Sequence, residues 1–190
     1  MSIYDNVGSD FDSMRNHVGV KDILEQVNVL GNEIRVLDLG CGTGHPIAKA
    51  ISPVVNQYRG IDNSQPMLDA YMKNVQDADC VLMEMSELEL ISGQWDFIFS
   101  WGAICHLPIE QQKKTMSVVS SLLKPGGRFL FTSGKDADEC TGKVGQYTVY
   151  HYSMGRRAYV EFLNENEMAL IDARFSEGDF YVYTFRKGME

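Results

Sequence analysis

A stretch from Val36 to Gly44 constrains this chain more than any other part of the sequence. Its first four residues are mostly apolar, and three glycines then follow at every second position. This pattern indicates a buried parallel strand that ends in a tight loop opening onto a helix. The glycines allow positive φ angles and let a ligand approach the backbone. Asp38 adds a carboxylate near the strand's end, where open α/β sheets bind ligands, and its charge disfavours a phosphate and suits an ammonium or sulfonium centre.

Strands and amphipathic helices alternate along most of the remaining chain, which predicts a parallel sheet with helices on both faces. The predicted parallel strands cover residues 34–39, 58–61, 80–83, 95–99 and 128–132. Near the end of the chain, residues 168–175 and 179–186 are predicted as two further strands. The turn between them is short enough for a hairpin, so one antiparallel strand is expected in the sheet.

The amino-acid composition and net charge limit the kinds of molecule that this protein can act on. Apolar residues make up 44% of the 190 residues and charged residues 23%, ordinary values for one globular domain. The net charge of −9 argues against a nucleic-acid substrate, which requires clustered Lys and Arg. The four cysteines are widely spaced without a C-x-x-C pair, which favours reduced thiols over a disulfide frame or a zinc site. No apolar run approaches the ~20 residues of a membrane span, so we expect a cytoplasmic protein without membrane contact.

The Val36–Gly44 stretch closely resembles motif I of the class I methyltransferases that use S-adenosylmethionine, and the resemblance continues roughly from Glu33 to Phe131. It implies a single domain over residues 1–190, with a Rossmann-like, doubly wound sheet of seven strands, mostly parallel, and one antiparallel strand near the C-terminus. It also implies that motif I holds the amino-acid end of the cofactor. The motif I residues concerned are Asp38, Gly40, Cys41, Gly42, Thr43 and Gly44.

A dinucleotide-binding Rossmann domain also places glycines after its first strand. Its fingerprint needs Gly or Ala three positions after the second glycine, and His45 stands there instead. Asp62 ends the second predicted strand, where a carboxylate can accept both ribose hydroxyls, but nicotinamide enzymes use the same position. Glu84 and Met85 separate the two families better, because the resemblance places an acid and a main-chain N–H at the adenine ring there.

The resemblance extends the cofactor site to other segments. It adds contacts from Asn63, Met67, Ser100 and Trp101, although such a methionine or tryptophan is often plain core. Residues 1–16 resemble a lid that covers the cofactor in small methyltransferases, and the alternative is a loosely ordered arm. In the lid, Tyr4 and Arg15 would face the methionine end, where Arg15 can pair with its carboxylate.

The acceptor is expected at the segment that follows the fourth strand. This segment, residues 100–107, lacks the motif of nucleobase amino methyltransferases, the metal-binding aspartate of catechol-type enzymes and the paired glutamates of protein arginine methyltransferases. It therefore resembles small-molecule methyltransferases without a metal. His106 is the candidate general base, because histidine is the residue type whose ordinary pKa lies nearest neutral pH, and the alternative is a helix cap.

A second candidate cluster follows the fifth strand, where residues 133–152 are predicted as an active-site loop. Tyr147, Tyr150 and His151, together with Trp101, are candidates to line the acceptor, although alternating aromatic residues also suit an extended segment with one buried face. We therefore expect methyl transfer to oxygen or nitrogen of a small molecule by a monomer or homodimer. The alternative is a cofactor-binding module that has lost catalysis and acts through a protein partner.

Overall fold

A computed structural model describes residues 18–144 and 147–189 of the chain. We number the elements of these ranges in chain order. The helices are α1 (Val20–Leu30), α2 (Ile47–Ile51), α3 (Gln65–Asn74), α4 (Ile109–Leu122) and α5 (Gly155–Glu165). The strands are β1 (Arg35–Leu39), β2 (Gln57–Asp62), β3 (Cys80–Leu82), β4 (Trp95–Ser100), β5 (Leu123–Thr132), β6 (Ala137–Val144), β7 (Tyr147–Met154), β8 (Met168–Phe175) and β9 (Tyr181–Lys187). Short 3₁₀ turns cover Ser52–Val54, Met85–Leu90, Ile104–His106 and Glu177–Asp179.

Seven of the described strands form one sheet in the order β3-β2-β1-β4-β5-β9-β8. The first five pair in parallel, and β9 runs antiparallel to both β5 and β8. The predicted fold class is therefore confirmed. Because strand order reverses between β1 and β4, the carboxyl ends of these strands border the crevice in which such sheets bind ligands.

Side chains alternate between the two faces of the sheet, and each face has its own apolar core. Leu37 and Leu39 of β1 pack with α4 and α5, whereas Val36 packs with α1, α2 and α3 on the opposite face. This alternation is the two-residue period of a strand buried on both sides. It makes β1 a rigid support for the glycine loop that follows it.

The segment predicted as a loop is a hairpin instead. Strands β6 and β7 pair antiparallel as a separate two-stranded sheet, with Cys140 opposite His151. The loop prediction over 133–152 was wrong in its secondary structure because β6 is exposed from Ala137 to Thr141, so it shows no alternation of apolar and polar residues. Strand β5 also begins earlier than predicted, at Leu123, because Leu123 pairs with Trp95 of β4.

No helix in the two described ranges combines the length and the apolar character that crossing a membrane requires.

Candidate functional site

The loop after β1 is shaped by its three glycines. Gly40, Gly42 and Gly44 have φ angles of 80°, 54° and 76°, a region that other residues rarely adopt. A Cβ on Gly40 would lie 2.4 Å from Cβ of Ala103, whereas no described atom lies within 4 Å of a Cβ on Gly42. The backbone is therefore packed tightly at one side of the loop, and at Gly42 no described residue fills the space beside it.

Polar contacts from β2 and α3 fix this loop in place. The N–H of Gly42 donates to Oδ2 of Asp62 at 2.9 Å, and the N–H of Ser64 donates to Oδ1 of the same carboxylate at 2.9 Å. The side chain of Asn74 donates to the carbonyl of Thr43 at 3.0 Å. Asp62 thus joins the glycine loop to the start of α3, and both of its carboxylate oxygens lie at the carboxyl edge of the sheet.

Asp38 lies buried beneath the same loop. Its Oδ2 accepts a hydrogen bond of 2.7 Å from the hydroxyl of Tyr58, which belongs to the neighbouring strand β2. Burial, and after it the charge of Asp38, raises the pKa of Tyr58 well above its ordinary value, so the hydroxyl keeps the proton that it donates. Tyr58 therefore positions the carboxylate. Tyr58 was not predicted as a site residue, because only the pairing of β1 with β2 brings it to Asp38.

Tyr58→Phe is expected to lower the free energy of unfolding by about 1–3 kcal/mol, because it leaves a buried carboxylate without one of its donors. Tyr71→Phe is the matched control. The Tyr71 side chain is also fully buried, but its hydroxyl finds no hydrogen-bond partner among the described residues. Removing that hydroxyl should leave stability unchanged or raise it. Urea denaturation of both variants checks the contrast, and equal losses would contradict the positioning role of Tyr58.

The third acidic position lies at the end of β3. Asn63 donates through Nδ2 to both carboxylate oxygens of Glu84, at 3.2 and 3.1 Å. Glu84 also forms a capping box with Glu87 at the start of the Met85–Leu90 turn. The side chain of Met85 approaches Gly40, since a Cβ there would meet its Cε at 2.9 Å. The structure therefore brings Asn63, Glu84 and Met85 to the same edge as the glycine loop.

These acids make the edge unfavourable for further negative charge. Burial is the main cause that raises the pKa of the Cys41 thiol well above its ordinary value, and the carboxylates of Asp38 and Asp62 raise it further. Cys41 therefore remains a neutral thiol. The same field favours a cation over an anion at this edge.

Three other residues that were predicted to contact the cofactor have buried side chains. The hydroxyl of Ser100 donates to the carbonyl of Leu39 at 2.9 Å and accepts from the N–H of Ile104 at 3.0 Å. Trp101 is 5% exposed and packs against Phe180, with ring centroids 5.4 Å apart. Met67 is 2% exposed. Ser100 shapes the segment after β4 through these hydrogen bonds. Tyr4 and Arg15 lie outside the described residues.

A cavity of about 360 Å³ lies beside this edge, between the ends of β4 and β5 and the β6–β7 hairpin. Gly102, His106, Ser133 and His151 are among the residues that line it. The next residue along the chain, Ala103, packs on Gly40 of the glycine loop. One short segment therefore borders both the glycine loop and the cavity.

Two histidines that the sequence analysis considered separately meet in this cavity. The ring centroids of His106 and His151 are 4.6 Å apart, and Nδ1 of His106 lies 2.8 Å from the carbonyl oxygen of Tyr150. Nδ1 of His151 lies 3.8 Å from Sγ of Cys105, a residue that the sequence analysis did not single out. Burial lowers the pKa of His151, which favours its neutral form. The segment after β4 and the hairpin thus supply adjacent groups from distant parts of the chain.

The tyrosines of β7 take different positions from this pair. Tyr150 is 52% exposed, and its ring stacks on that of Tyr152 with centroids 6.3 Å apart. Its backbone carbonyl, rather than its ring, contacts His106. The backbone of Tyr147 begins β7. The structure therefore brings His151 into the cavity and directs the Tyr150 ring toward solvent.

Part of this chain matches a known protein family. A family model described as a methyltransferase domain matches residues 36–127. An uncharacterized protein of Rickettsia prowazekii (strain Madrid E) is 27% identical over 99 residues, a match that covers 49% of this chain and 40% of that protein's length. The chain thus matches less than half the length of this curated relative.

Solved structures share the fold. The CcbJ methyltransferase from Streptomyces caelestis has a TM-score of 0.77 at 17% identity, with 97% of this chain and 98% of that chain covered. An S-adenosylmethionine-dependent methyltransferase from Clostridium acetobutylicum has a TM-score of 0.73 at 15% identity, with 93% and 94% covered. At such identities the likeness shows the fold, and the family match covers the strands and loops that form the edge described above. Residues 36–127 therefore match a methyltransferase domain, and the chain shares the fold of S-adenosylmethionine-dependent methyltransferases.

Proposed function

We propose that this protein transfers the methyl group of S-adenosylmethionine to an oxygen or nitrogen atom of a small-molecule acceptor and releases S-adenosylhomocysteine. The observation that carries the proposal is the placement of two sites side by side. The glycine loop and its acids form one site, the cavity forms the other, and residues 102–106 border both.

The glycine loop suits this cofactor. No described residue occupies the space beside Gly42 where a side chain would stand, so an extended ligand can lie against the backbone there. Three acidic side chains lie at or next to the carboxyl ends of β1, β2 and β3. In this order they suit the amino group, the ribose and the adenine of S-adenosylmethionine. They are Asp38, Asp62 and Glu84. Bound there, S-adenosylmethionine supplies an electrophilic methyl group on a sulfonium whose thioether leaves as a neutral group.

Known relatives support the same cofactor. DhpI was solved as a complex with S-adenosylhomocysteine, and an amino pentose methyltransferase of calicheamicin biosynthesis from Micromonospora echinaspora was solved with S-adenosylmethionine bound. Their folds align with 98% of this chain at TM-scores of 0.74 and 0.77. The second of these proteins is described as an amino pentose methyltransferase, which favours a small-molecule acceptor here.

The protein's part in the reaction is mainly positioning. In-line displacement requires the acceptor atom, the methyl carbon and the sulfur to be aligned, and holding them in that geometry supplies much of the rate. The cavity's walls can hold the acceptor while the acids hold the cofactor. None of the four cysteines forms a disulfide within the described residues, which suits a reducing compartment, and we propose the cytoplasm.

His106 is the proposed general base for an acceptor that must lose a proton. The carbonyl of Tyr150 can only accept, so the His106 nitrogen that faces it, Nδ1, carries the proton. The lone pair is then on Nε2, and the residue lines the cavity in which the acceptor is proposed to bind. This nitrogen can accept a proton from a hydroxyl or amine.

His106→Ala is expected to lower kcat by about 10²–10⁴-fold for a hydroxyl acceptor while cofactor affinity is retained, because only the proton transfer is removed. His106→Gln, which keeps an amide donor for the Tyr150 carbonyl, should show the same fall. Adenosylhomocysteine release measured against pH should lose its acidic limb in both variants. If the glutamine variant retains full turnover, His106 has a structural role.

Calorimetric titration with S-adenosylmethionine, S-adenosylhomocysteine and NAD tests the cofactor, and adenosylhomocysteine release with a panel of small acceptors tests the reaction. Binding of the two sulfur compounds followed by turnover would support the proposal. Binding of NAD alone would overturn it. Binding of the sulfur compounds without turnover on any acceptor would favour the non-catalytic module.

A further inference from the structure

Three side chains at the cavity wall have the chemistry and spacing of a metal site. The ligand atoms of Cys105, His106 and His151 all lie within 4.8 Å of one another. Cys105 and His106 belong to the turn after β4, and His151 comes from β7 of the hairpin. The wide spacing of the cysteines argued against a zinc site in the sequence, but the hairpin brings one thiol together with two imidazoles.

The separation of Cys105 and His151 is close to that of two ligands on a tetrahedral zinc ion. Zinc lies about 2.3 Å from a cysteine sulfur and about 2.0–2.1 Å from a histidine nitrogen, so tetrahedral angles place sulfur and nitrogen about 3.5 Å apart. Sγ of Cys105 and Nδ1 of His151 are 3.8 Å apart. This separation is about 0.3 Å longer than the tetrahedral value, and the ligand atom of His106 lies within 4.8 Å of the other two.

His106 is oriented as a metal-bound histidine usually is. Its Nδ1 faces the Tyr150 carbonyl at 2.8 Å, which places the proton on that nitrogen and the lone pair on Nε2. Histidine ligands commonly donate their other ring N–H to a backbone carbonyl in this way, which fixes both the tautomer and the ring. This contact joins the turn after β4 to the hairpin at the cluster.

From this geometry we propose that Cys105 Sγ, His106 Nε2 and His151 Nδ1 bind a zinc ion, with the fourth coordination position open to the cavity. One thiolate and two imidazoles favour Zn²⁺ over Mg²⁺ or Ca²⁺, which prefer oxygen ligands. Three protein ligands with one open position are the arrangement of zinc ions that bind a water or a substrate, whereas structural zinc has four protein ligands. All three side chains line the cavity, so a small hydroxyl or thiol compound can complete the coordination.

The proposal rests on the cluster and does not depend on methyl transfer. Binding of zinc releases the thiol proton of Cys105 to solvent, and no oxidation or reduction is involved. Because one lone pair serves either a proton or a metal ion, the base role proposed for His106 applies to the metal-free protein. A zinc-loaded protein uses that nitrogen as a ligand.

Zinc affinity is tested on chelator-treated full-length protein by competition with a chromophoric zinc indicator in excess Mg²⁺. One zinc per chain is expected for the wild type. Cys105→Ser, His106→Gln and His151→Ala should each weaken zinc binding by at least about tenfold, since each removes one of three ligands. Cys80→Ser and His45→Ala, which alter a cysteine and a histidine outside the cluster, should bind zinc as the wild type does.

Cobalt provides a second readout that reports the ligand types. Co²⁺-loaded wild type should show a thiolate-to-cobalt charge-transfer band and the visible bands of tetrahedral cobalt, and Cys105→Ser should lose the first. Circular dichroism checks that each variant folds. If the substitution of the buried Cys105 prevents folding, the half-buried His106→Gln variant still decides the test. Zinc binding that is unchanged in His106→Gln or Cys105→Ser, or absent from the wild type, would overturn the proposal. Titration of the same variants with S-adenosylhomocysteine reports separately on the cofactor site.

Discussion

Gly44→Ala is expected to lower the free energy of unfolding by about 2–5 kcal/mol, the larger of two effects that alanine should have in the glycine loop. A left-handed φ angle costs a residue with a Cβ roughly 1–2 kcal/mol, and overpacking adds about 1–3 kcal/mol. Gly44 has a φ of 76°, and its Cβ would lie 2.6 Å from Cγ2 of Val75 and 2.8 Å from Cδ2 of Tyr71. Both neighbours are buried, with exposures of 4% and 0%, so neither can move aside cheaply.

Gly42→Ala separates the two causes, because its φ of 54° is also left-handed while no described atom lies within 4 Å of the added Cβ. This variant should lose only the backbone part, roughly 1–2 kcal/mol. Urea denaturation without ligand measures both variants. The two losses would be equal if crowding at Gly44 were relieved at no cost, and that result would contradict the packing argument. Gly42→Ala should nevertheless bind S-adenosylhomocysteine more weakly, since its Cβ occupies the space proposed for the cofactor.

Local patterns in the sequence were enough to predict the sheet. The apolar run before Gly40 and the alternation of strands with amphipathic helices depend only on neighbouring residues, and the order of elements then limits the topology to few arrangements. The acids at the ends of β1, β2 and β3 could be assigned to one edge for the same reason. Parallel strands bring their carboxyl ends together whatever their exact register.

Contacts that depend on register or on an exposed element could not be predicted. The bond between Tyr58 and Asp38 requires the specific alignment of β1 with β2, in which Val36 lies opposite Tyr58. Strand β6 of the hairpin is exposed from Ala137 to Thr141, so it lacks the apolar period that identifies buried strands. Without the hairpin, His151 cannot be placed beside His106 and Cys105. The acceptor side of the site was therefore less predictable than the cofactor side.

Asp62→Ala is expected to raise the dissociation constant for S-adenosylhomocysteine about 5- to 150-fold, which corresponds to a loss of about 1–3 kcal/mol of binding free energy. The carboxylate is proposed to accept hydrogen bonds from the ribose hydroxyls, and bonds to a charged acceptor are stronger than neutral ones. The structure adds a second role, because the same carboxylate accepts the N–H groups of Gly42 and Ser64. The substitution should therefore also reduce the stability of the free protein.

The two roles of Asp62 can be measured independently. Denaturation without ligand reports the loss of the two backbone bonds, expected at about 1–3 kcal/mol in total because each leaves a donor in need of water. Calorimetric titration reports the ribose contact, and Asp69→Asn is the matched control, since Asp69 is an exposed carboxylate on α3 whose Oδ1 accepts from Gln65. If Asp62→Ala loses stability but keeps its dissociation constant, Asp62 only stabilises the glycine loop and does not bind the cofactor. A dissociation constant that rises in Asp62→Ala and not in Asp69→Asn assigns the cofactor's sugar to the end of β2.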